Sequence, residues 1–409
     1  MASRLAAINQ SVLDHIARDV VTSAAAPAAA CAAGYRQAGQ WVIDCGFFER
    51  NPDLASREGN SARLTPYSAE CLPTWDASAQ PSTPTLDFSP SHPKTIVFDL
   101  ASVTKPLFAT AAHIAAARGT LDLQARVTDL LPWLDSEWAA QTTLESLLSH
   151  RSGLLPHVEL FDAMRSRRAA SKKSLLKVAA ESLAPNPGSN ALPHPAVYSD
   201  LGYIVAGAAI EAAFGVPLDD WFSVTTTELD LGNVGSARQW HLRAARQAVR
   251  FMPTETVAWR GGSLVGVVHD ENAWAISGHR LSGHAGLFAT AEATACFGTL
   301  ILDSLAGRPS PVPTRAAIAA TARRSGGTLC CGFDRLASSG SAAGSFCSAE
   351  TFGHLGFTGT SLWCDPERGS VVVLLTNRVC PSRDNLRIRD LRPAIHDRLF
   401  RWAAEHTRP

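Results

Sequence analysis

"FDLASVTKPLFATAA", residues 98 to 112, places a serine and a lysine three residues apart at the head of an apolar run that closes on "RGTLDL". The preceding "TIVFDL" reads as a buried strand segment, and "SVTKPLFATAAHIAAARG" as a helix stopped by Gly119. Pro106 fits only near the first turn of a helix, so the N-terminus falls close to Ser102. A strand, a sharp entry and a helix start then present Ser102 near a positive helix end, with Lys105 on the same face. That geometry suits a nucleophile. A serine hydroxyl becomes reactive when a base takes its proton, and a lysine serves if desolvation populates its neutral amine. Leu100, Val103 and Leu107 would help to exclude water. Taken alone, the same residues also describe an N-capping serine beside a solvated lysine.

The Ser-x-x-Lys spacing occurs three times, at Ser91/Lys94, Ser102/Lys105 and Ser174/Lys177. Pro93 disfavours a shared helix face in the first. The basic neighbours of the third mark a solvated surface.

The chain has 409 residues, 46% of them hydrophobic and 18% charged, enough for a large core and one or two globular domains. Thirty-seven basic residues balance 37 acidic ones, which excludes a global field that would hold nucleic acid or an anionic membrane. A small neutral or zwitterionic partner fits better. The nine cysteines, at 31, 45, 71, 296, 330, 331, 347, 364 and 380, show no CxxC pair or zinc-ligand spacing, so reduced thiols are expected, with no metal and no cofactor. Arg, Asp or His interrupts every apolar stretch of "MASRLAAINQSVLDHIARDV", which reads as an amphipathic helix of a cytoplasmic protein. "TSAAAPAAACAAGY" lacks the roughly 20 strongly apolar residues that a membrane span needs.

Along the chain, "QWVIDCGFFE" reads as a strand and residues 49 to 94 as a Pro/Ser/Asp-rich connection. Residues 120 to 240 are mostly helical in pattern, with loops at "SHRSGLLPH" and "LAPNPGSNALPHPAVYSD". "GFTGTSLWCD", "PERG" and "SVVVLLTN" read as strand, turn and strand, and "DLRPAIHDRLFRWAAEH" as a closing amphipathic helix. The expected fold is therefore mixed α/β: a sheet domain from residues 1–101 and 340–409, with a mostly helical domain, 102–339, inserted.

Five segments in order, "FDLASVTKPLFATA", "TLESLLSHRSGL", "YSDLGYIVAGAAIE", "GHAGLFATA" and "FGHLGFTGTSLWCDPERGSVVVLLTNR", together resemble the serine beta-lactamase/penicillin-binding-protein-like hydrolases, most closely the class C beta-lactamase-related branch of esterases and peptidases. The resemblance implies an antiparallel sheet flanked by helices, with the active site where the two domains meet. It makes Ser102 the acylated nucleophile, Lys105 its partner base and Tyr198 the tyrosine of the family's Tyr-x-Asn element. A phenol held between the two relays a proton and later activates water. Tyr203 is left as a core residue. "HLG" at 354 to 356 takes the place of the Lys-Thr-Gly element, with His354 facing the cleft. Gly356 would leave room for substrate, and the Phe357 N–H would join that of Ser102 as an oxyanion donor. His269, Asp270 and His284 fall in segments resembling a loop and helix start of part of the family, where structural contacts at the cleft are expected. His150 and Ser152 would brace a turn.

Two positions depart from the drug-hydrolysing members. Asp200 replaces the Asn of Tyr-x-Asn, and His354 replaces the Lys of Lys-Thr-Gly. An ionised carboxylate only accepts hydrogen bonds, and Asp200 would hold Lys105 protonated, shifting base duty toward Tyr198. A neutral His gives up most of the attraction for a lactam carboxylate, so both changes are expected to move the cleft toward negative potential. The reading is a serine hydrolase that cleaves a small-molecule ester or amide through a Ser102 acyl-enzyme, carboxylesterase-like. A D-amino-acid peptidase or amidase, or a weak beta-lactamase, is the alternative within the family. The rival from another class is a catalytically idle binding protein on the same fold, against which the intact Ser102, Lys105 and Tyr198 argue.

Overall fold

The structure is a computed structural model that describes residues 2–50, 95–184 and 194–408, other than 167, 169 and 324–326, with side chains from residue 12 onward. Most of the 49–94 connection, the Ser91/Lys94 pair and Cys71 lie outside the described residues. The chain opens with helix α1 (Ala2–Thr22), strands β1 (Ala28–Gln37), β2 (Gln40–Glu49) and β3 (Thr95–Asp99), and helix α2 (Thr104–Ala117). After short helices come α3 (Lys172–Glu181), α4 (Asp200–Phe214), β4 (Val234–Ser236), β5 (Val249–Phe251), β6 (Thr256–Val257), β7 (Gly262–Ser263) and α5 (Glu271–Ser277). The remainder holds β8 (Leu287–Ala289), α6 (Ala291–Leu305), β9 (Asp334–Arg335), β10 (Phe352–Leu355), β11 (Ser361–Asp365), β12 (Ser370–Thr376) and α7 (Ile388–His406).

The main sheet is antiparallel, in the order β2-β1-β12-β11-β10-β9. Its centre pairs the chain's two ends, with Ala29 opposite Thr376 and Gly34 opposite Val371. Both faces are covered. Ala29, Cys31 and Ala33 meet Leu13, Ile16 and Val20 of α1 and Leu399 of α7, whereas Ala28, Ala30 and Ala32 join the core that contains Phe297 and Ile301 of α6. The Ala-rich stretch after the first helix, which composition alone does not mark as a strand, is thus a central strand whose small side chains leave room for helices on both faces.

Gly46 of β2 shows how closely α1 lies. A Cβ there would fall 2.3 Å from the Leu13 carbonyl carbon and 2.5 Å from the Asp14 nitrogen. Gly46→Ala is expected to cost about 1–3 kcal/mol by forcing α1 away from the sheet. An unchanged urea midpoint would show that α1 shifts freely.

A second sheet, β4-β8-β3-β5, lies within the otherwise helical portion, with β3 parallel to β5 and antiparallel to β8. The strand that leads to Ser102 belongs to this small sheet, not to the large one. Val97, Trp240 and Phe288 pack around it. The closing helix spans Ile388–His406, and Gly119, at φ +74°, follows the end of α2. Residues 356–360 of "GFTGTSLWCD" form a turn instead of a strand, and β11 begins at Ser361. Ser174 and Lys177 lie on α3, where Lys177 faces Glu181 at 3.7 Å on the surface. Among the described residues, no single helix is long and apolar enough to cross a membrane.

Candidate active site

Ser102 is presented by a tight turn between β3 and α2. Ala101 holds φ +47°, a left-handed conformation that costs a non-glycine residue free energy and persists only where its surroundings enforce it. Asp99 supplies that enforcement: its carboxylate accepts the Ala101 N–H at 2.8 Å and the His269 N–H at 2.7 Å. Burial pushes the Asp99 carboxyl up in pKa, although both amides favour the anion. From the other side, Thr358 donates to the Asp99 carbonyl at 2.8 Å and Thr360 to the Leu100 carbonyl at 2.9 Å. The turn after β10 is therefore fastened to the one that carries the nucleophile.

Lys105 is fully buried, with 0% of its surface exposed. Its ammonium donates to Ser102 Oγ at 3.0 Å, Asp200 Oδ1 at 2.7 Å and the His284 carbonyl at 3.3 Å. Three N–H groups thus meet three acceptors, an arrangement suited to the charged form. Burial alone would lower the lysine's pKa; the adjoining Asp200 and Tyr198 outweigh it, and the net direction is up. Burial likewise opposes ionisation of Asp200, but Lys105 holds its carboxyl below the usual range. The expectation that Asp200 keeps Lys105 protonated agrees with this geometry.

Tyr198 lies against the same group, with Lys105 Nζ 4.8 Å from its ring centre. Burial raises the phenol's pKa, and the charge of the adjoining Lys105 only partly offsets this. His150 stacks on the Tyr198 ring at 4.8 Å and accepts the Ser199 N–H through Nδ1 at 3.0 Å. Burial drives the His150 imidazole down to about 3, so it serves as a neutral wedge. Tyr203 donates its hydroxyl to the Leu148 carbonyl at 2.7 Å, a core role.

These groups open on a cavity of about 510 Å³ lined by Ser102, Tyr198, Asp200, His269, Asp270, Gly356 and Phe357, among others. The Ser102 and Phe357 residues border it together, and no carbonyl of the described backbone takes either amide. Phe357 is 46% exposed, stacked between the His269 ring at 5.6 Å and the Arg378 guanidinium at 4.5 Å. Asp270 caps α5 through the Ala273 N–H and pairs with His284 Nε2 at 2.9 Å; burial opposes its ionisation, but His284 brings its carboxyl below the usual range. His269 Nε2 meets Glu255 at 2.9 Å. His269 and Asp270 therefore border the cleft, while His284 supports Lys105 from behind.

Three expectations are corrected. His354 does not face the cleft: it is 5% exposed, its Nδ1 bonds the Leu355 carbonyl at 2.7 Å, and its ring lies 5.9 Å from that of Tyr198. Burial holds it neutral, at about 3. Gly356 is needed for packing instead of substrate room, because a Cβ there would fall 1.9 Å from Thr360 Oγ1 and 2.5 Å from the Leu100 carbonyl. The expected shift of the cleft toward negative potential is offset, since Arg378, Arg383, Arg389 and Arg392 line it together with its carboxylates. Sequence reasoning missed these arginines and Asp99. A carboxylate at the last position of the strand before the Ser-x-x-Lys turn was the available signal for Asp99.

Residues 84–395 match the Beta-lactamase family, and the chain belongs to it. Among its relatives, the N-acetylmuramyl-L-alanine amidase of Bacillus subtilis (strain 168) is 28% identical over 310 residues, 69% of this chain and 68% of that protein. The "Putative D-alanyl-D-alanine carboxypeptidase" of Salmonella heidelberg (strain SL476) is 28% identical over 200 residues, so this chain spans only 45% of its length. In fold, the chain is similar to EstCE1, described as a hydrolase with promiscuous acyltransferase activity, at a TM-score of 0.58 and 18% identity, covering 97% of this chain and 99% of that one. The fold is of the beta-lactamase/transpeptidase type.

Proposed function

We propose that the protein is a serine hydrolase that cleaves a carboxylic ester, or an amide, through an acyl-enzyme on Ser102. The observation that carries this reading is Ser102 Oγ at a strained turn, bordering the cavity, with the buried Lys105 Nζ 3.0 Å away. In the resting state Lys105 is the ammonium and Tyr198 the phenol. Loss of one proton from this coupled pair creates the reactive form, which takes the Ser102 proton as Oγ attacks the acyl carbon. The Ser102 and Phe357 amides would receive the oxyanion. The same proton then passes to the leaving group, and water, activated by the pair, releases the acid.

An amidase or peptidase acting on D-amino-acid derivatives is the second reading, favoured by the names of the Bacillus and Salmonella relatives. The two separate on purified protein. We expect a higher kcat/KM for 4-nitrophenyl butyrate than for D-alanine 4-nitroanilide, because the ester has the weaker acyl bond and asks less of a leaving-group acid. The reverse order would replace the esterase reading by the amidase one.

A further inference from the structure

The two amides assigned to the oxyanion stand on turns of different sheets. Ser102 follows β3 of the small sheet, and Phe357 follows β10 of the main one. Such a site works only if both donors converge on one point to within about 0.5 Å, so whatever fixes one turn against the other sets its quality. Thr358 and Thr360 tie the turns through the Asp99 and Leu100 carbonyls. His269 makes a further tie and, unlike the threonines, lines the cavity. Its N–H donates at 2.7 Å to the Asp99 carboxylate that holds the Ala101 turn, while its ring stacks on Phe357 at 5.6 Å and 21°.

We propose that His269 is the positioning residue of the oxyanion hole, aligning the Phe357 amide with that of Ser102 by its stack on one turn and its own amide on the other. The threonine bonds attach at residues 358 and 360, beyond the donating amide. The clamp on the Phe357 ring, with His269 on one face and the Arg378 guanidinium at 4.5 Å, acts at the donor residue itself. Arg378 also donates to the Phe357 carbonyl at 2.7 Å, so ring and carbonyl are fixed together. His269 is rigidly held in turn. Arg260 donates to the Val268 and His269 carbonyls at 2.7 and 2.8 Å. Its Nε2 meets Glu255 at 2.9 Å, and the same carboxylate accepts Arg383 Nε at 2.7–2.8 Å. The Arg383 guanidinium returns to within 5.8 Å of the Phe357 ring centre, which closes a circuit of four side chains. Burial opposes ionisation of Glu255, but its bonds to His269 and Arg383 bring the carboxyl down to about 2, so the anchor is an anion throughout the neutral range.

This role rests on the hydrolase reading, so the test has a kinetic and an exchange arm. The kinetic arm is a double-mutant cycle. His269→Gln keeps a polar group for Glu255 and the backbone amide for Asp99 but removes the ring, and Phe357→Ala removes the other half of the stack while keeping the donating amide. Each should lower kcat/KM for 4-nitrophenyl butyrate about 10- to 100-fold, the scale of a misaligned oxyanion donor. The double variant should fall little below the poorer single one, because both cut the same tie. The alkaline limb of the pH profile should stay in place in all three, since Lys105 and Tyr198 are untouched. Additive losses, or a displaced limb, would overturn the proposal. Phe357 is 46% exposed, so its variant decides even if His269→Gln fails to fold: the parent's rate in Phe357→Ala would refute the clamp.

A parent protein that neither turns over the ester nor takes a fluorophosphonate would refute the hydrolase reading instead. The tie between the turns is then read by amide hydrogen exchange, which needs no substrate. His269→Gln and Phe357→Ala should each speed exchange about tenfold in both residues 99–104 and residues 355–361, as local opening of two coupled turns requires. An unchanged rate in either segment would show that His269 does not hold the turns together and would overturn the proposal.

Discussion

A fluorophosphonate probe is expected to label Ser102 and no other serine, and Ser102→Ala is expected to lose both the label and ester turnover. The reason is local: the Ala101 turn, fixed by Asp99, is what sets this hydroxyl beside a buried lysine and two amides that no carbonyl of the described backbone takes. Lys105→Ala should reduce labelling by about 10² to 10⁴, the range for a lost general base. It also strands the Asp200 carboxylate, at a cost of about 3–5 kcal/mol, so a thermal melt must accompany the measurement. Peptide mapping of the labelled protein reads the site directly. Labelling that persists in Ser102→Ala would end the assignment, and unchanged labelling in a folded Lys105→Ala would leave Tyr198 as the base.

The second large effect is in pH dependence. Lys105 and Tyr198 both bind their proton more tightly than usual, so the reactive form, one proton poorer, is scarce at neutral pH. The value of kcat/KM should therefore climb with pH, about tenfold per unit, to an alkaline plateau that belongs to the pair. Asp200→Asn removes the charge that holds the ammonium, and burial then favours the neutral amine. The limb should move to lower pH and raise the rate at pH 7 by about tenfold, part of the gain being offset by the weaker base.

Stability gives an independent reading of the same ion pair. The depressed Asp200 contributes stability that is present at neutral pH and lost as pH falls through its folded value. The raised Lys105 contributes stability present below its unfolded pKa and lost as pH rises through its folded value. The melting temperature of Asp200→Asn should accordingly vary less with pH at both extremes. A variant with the parent's rate profile would show that Lys105 is not the group that titrates.

What the sequence makes legible here is local. Ser102 and Lys105 are neighbours on one helical turn, and Tyr198 and Asp200 straddle the start of another helix, so spacing alone brings each pair together. The face of His354 is not local: it is set by the register of β10 on β11, where His354 lies opposite Leu362. Strand β1 escapes pattern reading because alanine has little preference for strands, and its alternation is between two buried faces, not between core and solvent. Arg392 looks like the polar side of an amphipathic helix until that helix docks beside Arg378. Asp99 takes the Ala101 amide two residues away, but its second partner, the His269 amide, lies 170 residues further along.

The joining of both chain ends in the main sheet has a consequence for how the molecule comes into being. The Ala28 amide bonds the Asn377 side chain across 349 residues, and β1 has β12 as its neighbour on one side. Contacts of such separation form late, because loop closure must precede any gain from them. A chain emerging from the ribosome therefore completes α2 and α4, and with them Ser102, Lys105 and Asp200, while β1 still waits with an open edge. Strand β12 and helix α7 emerge after all the other described elements, closing that edge and setting the arginine wall over the cleft in one event. Until then the nascent chain holds its nucleophile without the wall that faces it, and a hydrophobic strand edge without its cover, which makes this the interval most exposed to misassembly.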